Sequence, residues 1–184
     1  LGHLHAARAA AKALSLDRVF LIPTNIPPHK EGPAGATPSQ RLEMTRLAAG
    51  ENQLFSVLDC ELRREGKSYS VDTVNELSAT YPEDEFWFIV GTDMFLTLHQ
   101  WHKADELLRK TGIAVVPRDK SGLAPLFAQK QKLEEKFGAK IYVVDVPPLE
   151  ISSTDIRFGQ KQAYISPEVA EYIQNKGLYK QNES

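Results

Sequence analysis

The sequence is poor in features that would point to a secreted, membrane or nucleic-acid-binding protein. Cys60 is its single cysteine, which excludes an intrachain disulfide and a cysteine-based zinc cluster. No apolar run is long enough to cross a membrane, and the alanine-rich start, interrupted by Arg8 and Lys12, lacks the pattern of a signal-peptide core. The 22 Lys and Arg nearly balance the 24 Asp and Glu, which argues against a broad basic surface for nucleic acid. We therefore expect a cytoplasmic protein with small-molecule partners.

Several common catalytic motifs are also missing. There is no G-x-x-x-x-G-K-[ST] phosphate loop and no G-x-G-x-x-G dinucleotide fingerprint. There is no G-x-S-x-G, and Cys60 is predicted to lie in a strand with nothing to activate it. The pairs His3–His5 and His99–His102 have no carboxylate arrangement that specifies a metal site, which disfavours a zinc enzyme. The remaining candidate functional residues have basic or hydroxyl side chains, which are typical of phosphate-binding sites.

Alternating strand and helix patterns predict the fold. A length of 184 residues favours a single domain, 1–184. Strands are predicted at Val19–Ile22, Leu54–Leu62, Glu85–Val90, Ile113–Val116 and Lys140–Val146. Helices are predicted near Leu4–Leu16, after a cap at Ser39, at Val71–Thr80, Lys103–Lys110 and Pro125–Phe137, and from Ser166-Pro167 to Lys176. This alternation predicts a doubly wound, mostly parallel α/β sheet with helices on both faces.

The loops that follow the predicted strands carry the unusual residues. They are Pro23–Lys30, Gly91–Asp93, Pro117-Arg118 and Ser152–Arg157. Because doubly wound sheets bind ligands at the carboxyl ends of their strands, these loops are expected to line one site. The loop that continues through Pro38 is long for a compact domain, which is typical of a functional loop.

The segment Ile151–Arg157 predicts a phosphate site at the start of a helix. Ser152, Ser153 and Thr154 are N-cap residue types, and a helix N-terminus attracts anions. Arg157 lies four residues after Ser153, one turn further on, and its guanidinium can fork onto phosphate oxygens. The alternative, from this segment alone, is an ordinary capped helix with a solvated arginine.

Motifs at both ends of the chain resemble one superfamily. Gly2-His3 is similar to the end of the H-x-G-H signature of the nucleotidyltransferases, and Ile151–Arg157 resembles their second signature, I-S-S-T-x-I-R. Between them, ordered segments resemble the bacterial nicotinate-nucleotide adenylyltransferase family: Ile22–Lys30, Arg41 with Met44, Ser68–Thr73, Gly91–Asp93 and Gln100-Trp101. The resemblance covers essentially the whole chain and implies a Rossmann-like fold. It also implies that the first strand and the first histidine of H-x-G-H are missing ahead of Leu1.

The resemblance implies adenylyl transfer from ATP to nicotinate mononucleotide, giving deamido-NAD and pyrophosphate in NAD biosynthesis. It implies Mg²⁺ bound with the ATP phosphates, and no protein metal ligands. The implied ATP-binding residues are Gly2, His3, Gly91, Asp93, Ser152, Ser153 and Arg157, of which His3 and Arg157 are catalytic. The implied mononucleotide-binding residues are His29, Lys30, Ser70, Trp101, His102 and Arg118. Family members often have Thr and Tyr in place of Ser70 and His102, so we expect contacts through backbone amides.

Some assignments keep an alternative. Asp93 follows a strand and is equally well read as a helix cap. Trp101 is the expected stacking partner of the cationic pyridine ring, against a core tryptophan, and its polar neighbours Gln100 and His102 favour the site. Two other functions are open: a pantetheine-phosphate adenylyltransferase, which shares the terminal signatures, and a non-catalytic nucleotide-binding protein of the same fold. A homo-oligomer is also open.

Overall fold

The computed structural model describes residues 2–25, 36–117, 123–145 and 165–179. These residues form two compact units. The first contains residues 2–5, 16–25, 36–68 and 165–179, and the second contains residues 6–15, 69–117 and 123–145. Within the described ranges, no helix is both long and apolar enough to span a membrane. The prediction of a single domain stays a prediction.

The first unit contains a two-stranded parallel sheet. Strand β1 (Val19–Leu21) pairs with β2 (Phe55–Val57) in the register Val19 to Phe55. Its helices are α2 (Pro38–Ala49), the one-turn α3 (Cys60–Arg63) and α8 (Pro167–Asn175), and α2 packs against both β2 and α8. The first residues of helix α1 (Gly2–Leu14) also belong to this unit.

The second unit contains a three-stranded parallel sheet in the order β3-β4-β5. The strands are β3 (Trp87–Gly91), β4 (Gly112–Val116) and β5 (Ile141–Val143). Its helices are α4 (Ser70–Thr80), α5 (Thr92–Thr97), α6 (Ala104–Lys110) and α7 (Leu123–Phe137), with a 3₁₀ turn at Leu98–Gln100 between α5 and α6. The remainder of α1 lies in this unit.

Alternating residues of β4 divide the core of the second unit into two clusters. Ile113 and Val115 face a large cluster that includes the buried leucines of α6 and α7. Ala114 and Val116 face a smaller cluster with Ala10 of α1. All five residues of β4 are buried, as expected for a central parallel strand covered on both faces. This layering confirms the predicted doubly wound, parallel α/β class.

The Trp87 ring packs on the backbone of Gly112 at the start of the β3–β4 pair. Trp87 and Gly112 are register partners, and a Cβ atom added to Gly112 would lie 2.5 Å from Cε3 of Trp87. The Lys140 ammonium sits on the same indole, 4.7 Å from its centroid, while Lys140 also pairs with Glu85. Only a residue without a side chain fits beneath Trp87, so Gly112 is a packing requirement.

Two local predictions are wrong. The cap of α2 is Thr37, not Ser39: the Thr37 hydroxyl accepts from the Gln40 amide while the Gln40 side chain accepts from the Thr37 amide, a capping box. The predicted strand Leu54–Leu62 ends early, and the buried Cys60 lies in α3. There the Asp59 carbonyl accepts from the amides of Leu62 and Arg63, which closes a helical turn. A short apolar run does not distinguish a strand from a buried helical turn.

Candidate active site

The start of α4 and the turn before α6 meet through two aromatic rings. Tyr69, the N-cap residue of α4, lies against His102 with ring centroids 4.3 Å apart and planes inclined by 33°. Ser70 is the first residue of α4 and follows Tyr69 directly, so this contact brings Ser70 and His102 into one neighbourhood. Both were predicted to bind the mononucleotide. The Tyr69 ring itself was not assigned a role from the sequence, although it lies within the Ser68–Thr73 segment that carries the resemblance.

The position of Ser70 suits contact through its backbone. The amides in the first turn of a helix have no intrahelical acceptor. At the start of α4, the Tyr69 carbonyl accepts from the amides of Asp72 and Thr73, at 3.1 and 3.3 Å. The Ser70 amide precedes both, and no side-chain cap bond is made by Tyr69. An acceptor group such as a carboxylate is therefore well matched to this end of α4.

Trp101 lies at the boundary between core and solvent. Its indole is partly buried, packs on the large core cluster, and meets Phe88 of β3 nearly perpendicularly, with centroids 5.9 Å apart. Its backbone amide donates to the Leu98 carbonyl at 3.1 Å, which ties Trp101 to the 3₁₀ turn. The structure therefore combines the two alternatives from the sequence: the ring is supported by the core and still partly exposed.

The Gly91–Asp93 segment lies at the carboxyl edge of the sheet. Gly91 ends β3 and pairs with Val116, the last residue of β4, so the two strands end side by side. Gly91 is the N-cap residue of α5 with an extended backbone, and Asp93 is an exposed residue of the first turn. Asp93 is therefore not the cap, although its negative charge suits the positive end of the helix. Phe88, on the same strand as Gly91, is a ring partner of Trp101.

Gly2 and His3 occupy the first turn of α1. His3 is exposed, whereas Leu4 beside it is buried and fixes the helix face. A Cβ atom built on Gly2 would meet nothing within 4 Å. Packing among the described residues therefore does not require a glycine at this position.

Arg41 organises the chain on both sides of residues 26–35. Its guanidinium donates to the carbonyl oxygens of Thr24, Asn25 and Ala36, at 2.7, 2.8 and 2.8 Å. The Asn25 side chain in turn donates to the Arg64 carbonyl at 3.1 Å. From the sequence, Arg41 had no role beyond its place in the resemblance, because hydrogen bonds from one guanidinium to three carbonyls have no signature in sequence spacing.

The remaining predicted site residues lie outside the described residues. They are His29, Lys30, Arg118, Ser152, Ser153 and Arg157. Thr154 lies outside them as well. Their assignments stay predictions.

An electrostatic clamp joins the two helices that border the Tyr69–His102 contact. Asn75 of α4 donates to the Glu106 carboxylate of α6 at 2.9 Å, and Lys110 pairs with Glu106 at 3.4 Å. The hydrogen bond from Asn75 holds the pKa of Glu106 below its usual value, and Lys110 acts in the same direction. The clamp links α4, which follows Tyr69, to α6, which begins shortly after His102.

Comparison with known proteins defines the class of this fold and site. A family profile described as Cytidylyltransferase-like matches residues 1–158. Of the solved structures, Plasmodium falciparum nicotinic acid mononucleotide adenylyltransferase complexed with NaAD superposes with a TM-score of 0.68. That match has 17% sequence identity and covers 95% of this chain and 90% of the other, so it establishes the fold. The chain belongs to the cytidylyltransferase-like family of nucleotidyltransferase folds.

Curated relatives narrow the family further. A protein of Exiguobacterium sibiricum named "Probable nicotinate-nucleotide adenylyltransferase" is 38% identical, and the match covers 97% of this chain and 92% of the relative. Relatives with the same name from Desulfitobacterium hafniense and Neisseria meningitidis are 39% and 37% identical, over 97% of this chain and 89% and 91% of their own lengths. The chain is thus a member of the nicotinate-nucleotide adenylyltransferase family, as the resemblance implied.

Proposed function

We propose that the protein transfers the adenylyl group of ATP to nicotinate mononucleotide, forming deamido-NAD and pyrophosphate in NAD biosynthesis. The observation that carries this proposal is the contact of Tyr69 with His102 beside Trp101 and Ser70. It assembles aromatic surface and the amide end of a helix at one place, which suits a ligand with a cationic ring and a carboxylate. The named relatives, similar over nearly the whole chain, support the same substrate.

The reaction is an in-line displacement at phosphorus. A phosphate oxygen of the mononucleotide attacks the α-phosphorus of ATP and forms the new P–O bond. The bond from that phosphorus to the bridging oxygen breaks, and pyrophosphate leaves with the electron pair. Because the nucleophile is already ionised, the protein needs no general base. It must align two polyanions and stabilise the charge that develops on the leaving group.

We assign the ATP half of the site to two groups of residues. Gly91 and Asp93 take the ribose, since an exposed carboxylate just beyond β3 can accept from two hydroxyl groups. Gly2 and His3 meet the α-phosphate, where His3 donates to the transition state. Ser152, Ser153 and Arg157 are assigned to the β- and γ-phosphates.

We assign the mononucleotide half to the aromatic cluster and to basic residues. The Trp101 indole supplies a face for the cationic pyridine ring, because indole is the most favourable aromatic surface for a cation. Backbone amides at Ser70 and His102 hold the nicotinate carboxylate. Lys30, His29 and Arg118 are assigned to the phosphate of the mononucleotide, which a basic side chain neutralises.

We propose that Mg²⁺ enters with ATP. Across the described ranges, no group of three or more His, Cys, Asp or Glu side chains is placed to hold a metal ion. With nucleotides, Mg²⁺ is usually held mainly by phosphate oxygens and water. When bound, the ion would neutralise phosphate charge. We also propose a cytoplasmic location and leave a homo-oligomer as a further proposal.

The test is a pyrophosphate-release assay with ATP and each of three acceptors. Nicotinate mononucleotide should support much faster release than nicotinamide mononucleotide or phosphopantetheine. Faster release with phosphopantetheine would overturn the proposed substrate in favour of the coenzyme A pathway. Binding of ATP without release on any acceptor would instead identify a non-catalytic nucleotide-binding protein.

A further inference from the structure

A buried glutamine interrupts the inward face of α7. Leu126, Gln129 and Leu133 are its buried residues, and both leucines are fully buried in the large core cluster. Gln129 is 9% exposed, at a position where an apolar side chain of similar size would also fit the helix pattern. Burial of a primary amide is unfavourable unless the amide is hydrogen-bonded. Its partner is therefore informative.

The partner of Gln129 is His99 in the 3₁₀ turn. Gln129 Nε2 lies within hydrogen-bond distance of His99 Nδ1, at 2.9 Å. With Nδ1 as the acceptor, the neutral imidazole carries its proton on Nε2. Gln100 Nε2 lies 3.3 Å from His99 Nε2. In this tautomer the Gln100 amide is turned, so that its oxygen faces the ring N–H and accepts from it. His99 is half-buried, so the bond is partly shielded from water.

The turn that contains His99 leads directly to the proposed mononucleotide site. Leu98 is fully buried and anchors the turn in the core. Its carbonyl accepts from the Trp101 amide. Leu98 and the packing of Trp101 on Phe88 are apolar contacts, which are not directional. The bond from Gln129 adds a directional restraint two residues before Trp101.

Shortly after Trp101, the chain passes through a residue with a left-handed backbone conformation. Lys103 has a left-handed backbone, with φ 49° and ψ 46°, and is the N-cap residue of α6. A non-glycine residue in this region costs about 1 kcal/mol or more. Between this strained residue and the 3₁₀ turn lie only Trp101 and His102. A segment held at both ends presents these two side chains in a fixed arrangement.

We infer that Gln129 and His99 are positioning residues for mononucleotide binding. They act through the turn that carries Trp101 and His102. This inference rests on the proposed function, since it concerns the mononucleotide half of that site. A core-filling role alone would be served as well by an apolar residue at position 129, whereas a positioning role requires the hydrogen bond.

The first arm of the test measures steady-state kinetics of the full chain. Gln129→Met keeps the size of the side chain and removes the bond, and should raise the KM for nicotinate mononucleotide about fivefold, with little change in the KM for ATP. Gln131→Met is the matched control, because Gln131 is exposed on the same helix, where its side chain donates to the Glu135 carboxylate. His99→Leu removes the same bond and leaves the buried Gln129 amide without this partner, so its increase in KM should be at least as large as that of Gln129→Met. The double variant should be no worse than either single variant, as expected for a shared bond.

Rescue separates the hydrogen bond from packing. His99→Asn places an amide oxygen close to the former Nδ1 position, where it can accept from Gln129. The KM for nicotinate mononucleotide should therefore return most of the way to the parent value. Equal increases in both KM values would show a structural effect and overturn the inference. So would a wild-type KM for the mononucleotide in Gln129→Met or, if that variant does not fold, in His99→Leu.

The second arm needs no substrate. In a Trp87→Phe background, Trp101 is the remaining tryptophan, and acrylamide quenching reports its exposure. Gln129→Met should increase quenching in that background, while Gln131→Met should not. Unchanged quenching overturns the inference whatever substrate the protein uses. Increased quenching in a protein that does not turn over nicotinate mononucleotide would sustain the positioning of Trp101 and reject the proposed function.

Discussion

The imidazole of His102 lies against the phenol ring of Tyr69, with centroids 4.3 Å apart. These residues stand on different elements, one at the cap of α4 and the other just before α6. Aromatic contacts of this kind contribute about 0.5–1.5 kcal/mol beyond burial. The pair therefore sets the spacing between the two backbone segments to which we assign the nicotinate carboxylate.

Loss of the Tyr69 ring should weaken mononucleotide binding. Tyr69→Ala removes the support of His102 and should raise the KM for nicotinate mononucleotide by about threefold to tenfold. Tyr69→Phe keeps the ring and should behave much like the parent protein. Steady-state kinetics with each substrate varied in turn checks this. Comparable increases in the KM for ATP would contradict a local role.

Trp101 is predicted to carry the stacking interaction with the pyridine ring. Trp101→Ala should raise the mononucleotide KM far more than the KM for ATP, since a desolvated cation on indole is worth up to about 2 kcal/mol. Trp101→Phe keeps an aromatic face, so its mononucleotide KM should lie between those of the parent protein and Trp101→Ala. Because Trp101 also packs on Phe88, thermal unfolding must be measured in parallel. If both substrates are affected equally, stacking is ruled out.

Arg157 is predicted to stabilise the charge of the leaving pyrophosphate. Arg157→Ala should lower turnover at saturating substrates at least about tenfold, because such stabilisation is typically worth more than about 1.4 kcal/mol. Arg157→Lys keeps the positive charge but loses the two-pronged guanidinium, so its turnover should lie between those of the parent protein and Arg157→Ala. Arg109→Ala is a suitable control, since Arg109 is exposed and paired with Asp105 on α6. Unchanged kcat in Arg157→Ala would remove this residue from the transition state.

Gly112 should tolerate no side chain while Trp87 is present. Gly112→Ala forces a methyl group into the indole and should reduce the free energy of unfolding by about 1–3 kcal/mol. Urea denaturation provides the measurement. The same change in a Trp87→Val background should cost much less, because the obstructing ring is gone. Equal costs in the two backgrounds would show that the clash is not the cause.

The clamp at Glu106 should make stability depend on acid pH. The Asn75 hydrogen bond holds the pKa of the folded Glu106 carboxyl below its usual value of 4.5. Its contribution is therefore fully present above that value and is lost as the pH falls through the lower, folded pKa. Glu106→Gln should reduce the loss of stability on acidification, and Asn75→Leu should do the same. Urea unfolding at neutral pH and below pH 4.5 tests this; identical acid dependence in the parent and both variants would refute it.

The alternation of apolar runs and helical patterns determined the fold class. β4 was predicted at Ile113–Val116 and is observed at Gly112–Val116, because a β-branched run buried on both faces has a clear pattern. The N-terminus of α8 was predicted equally well, since Ser166 caps it by accepting from the Val169 amide. Short motifs also determined the family. These features depend on residues close together in the sequence.

Only the tertiary structure decided which distant residues meet. The pairing of Tyr69 with His102, the bond from Gln129 to His99 and the fork of Arg41 onto three carbonyls have no sequence signature. Cys60 was misplaced in a strand for a related reason, since the Asp59 carbonyl that closes α3 competes with strand pairing over a few residues. Periodicity reports which face of an element is buried, whereas long-range contacts depend on how elements pack. The sequence determined the chemistry available to this protein, and packing determined which side chains support it.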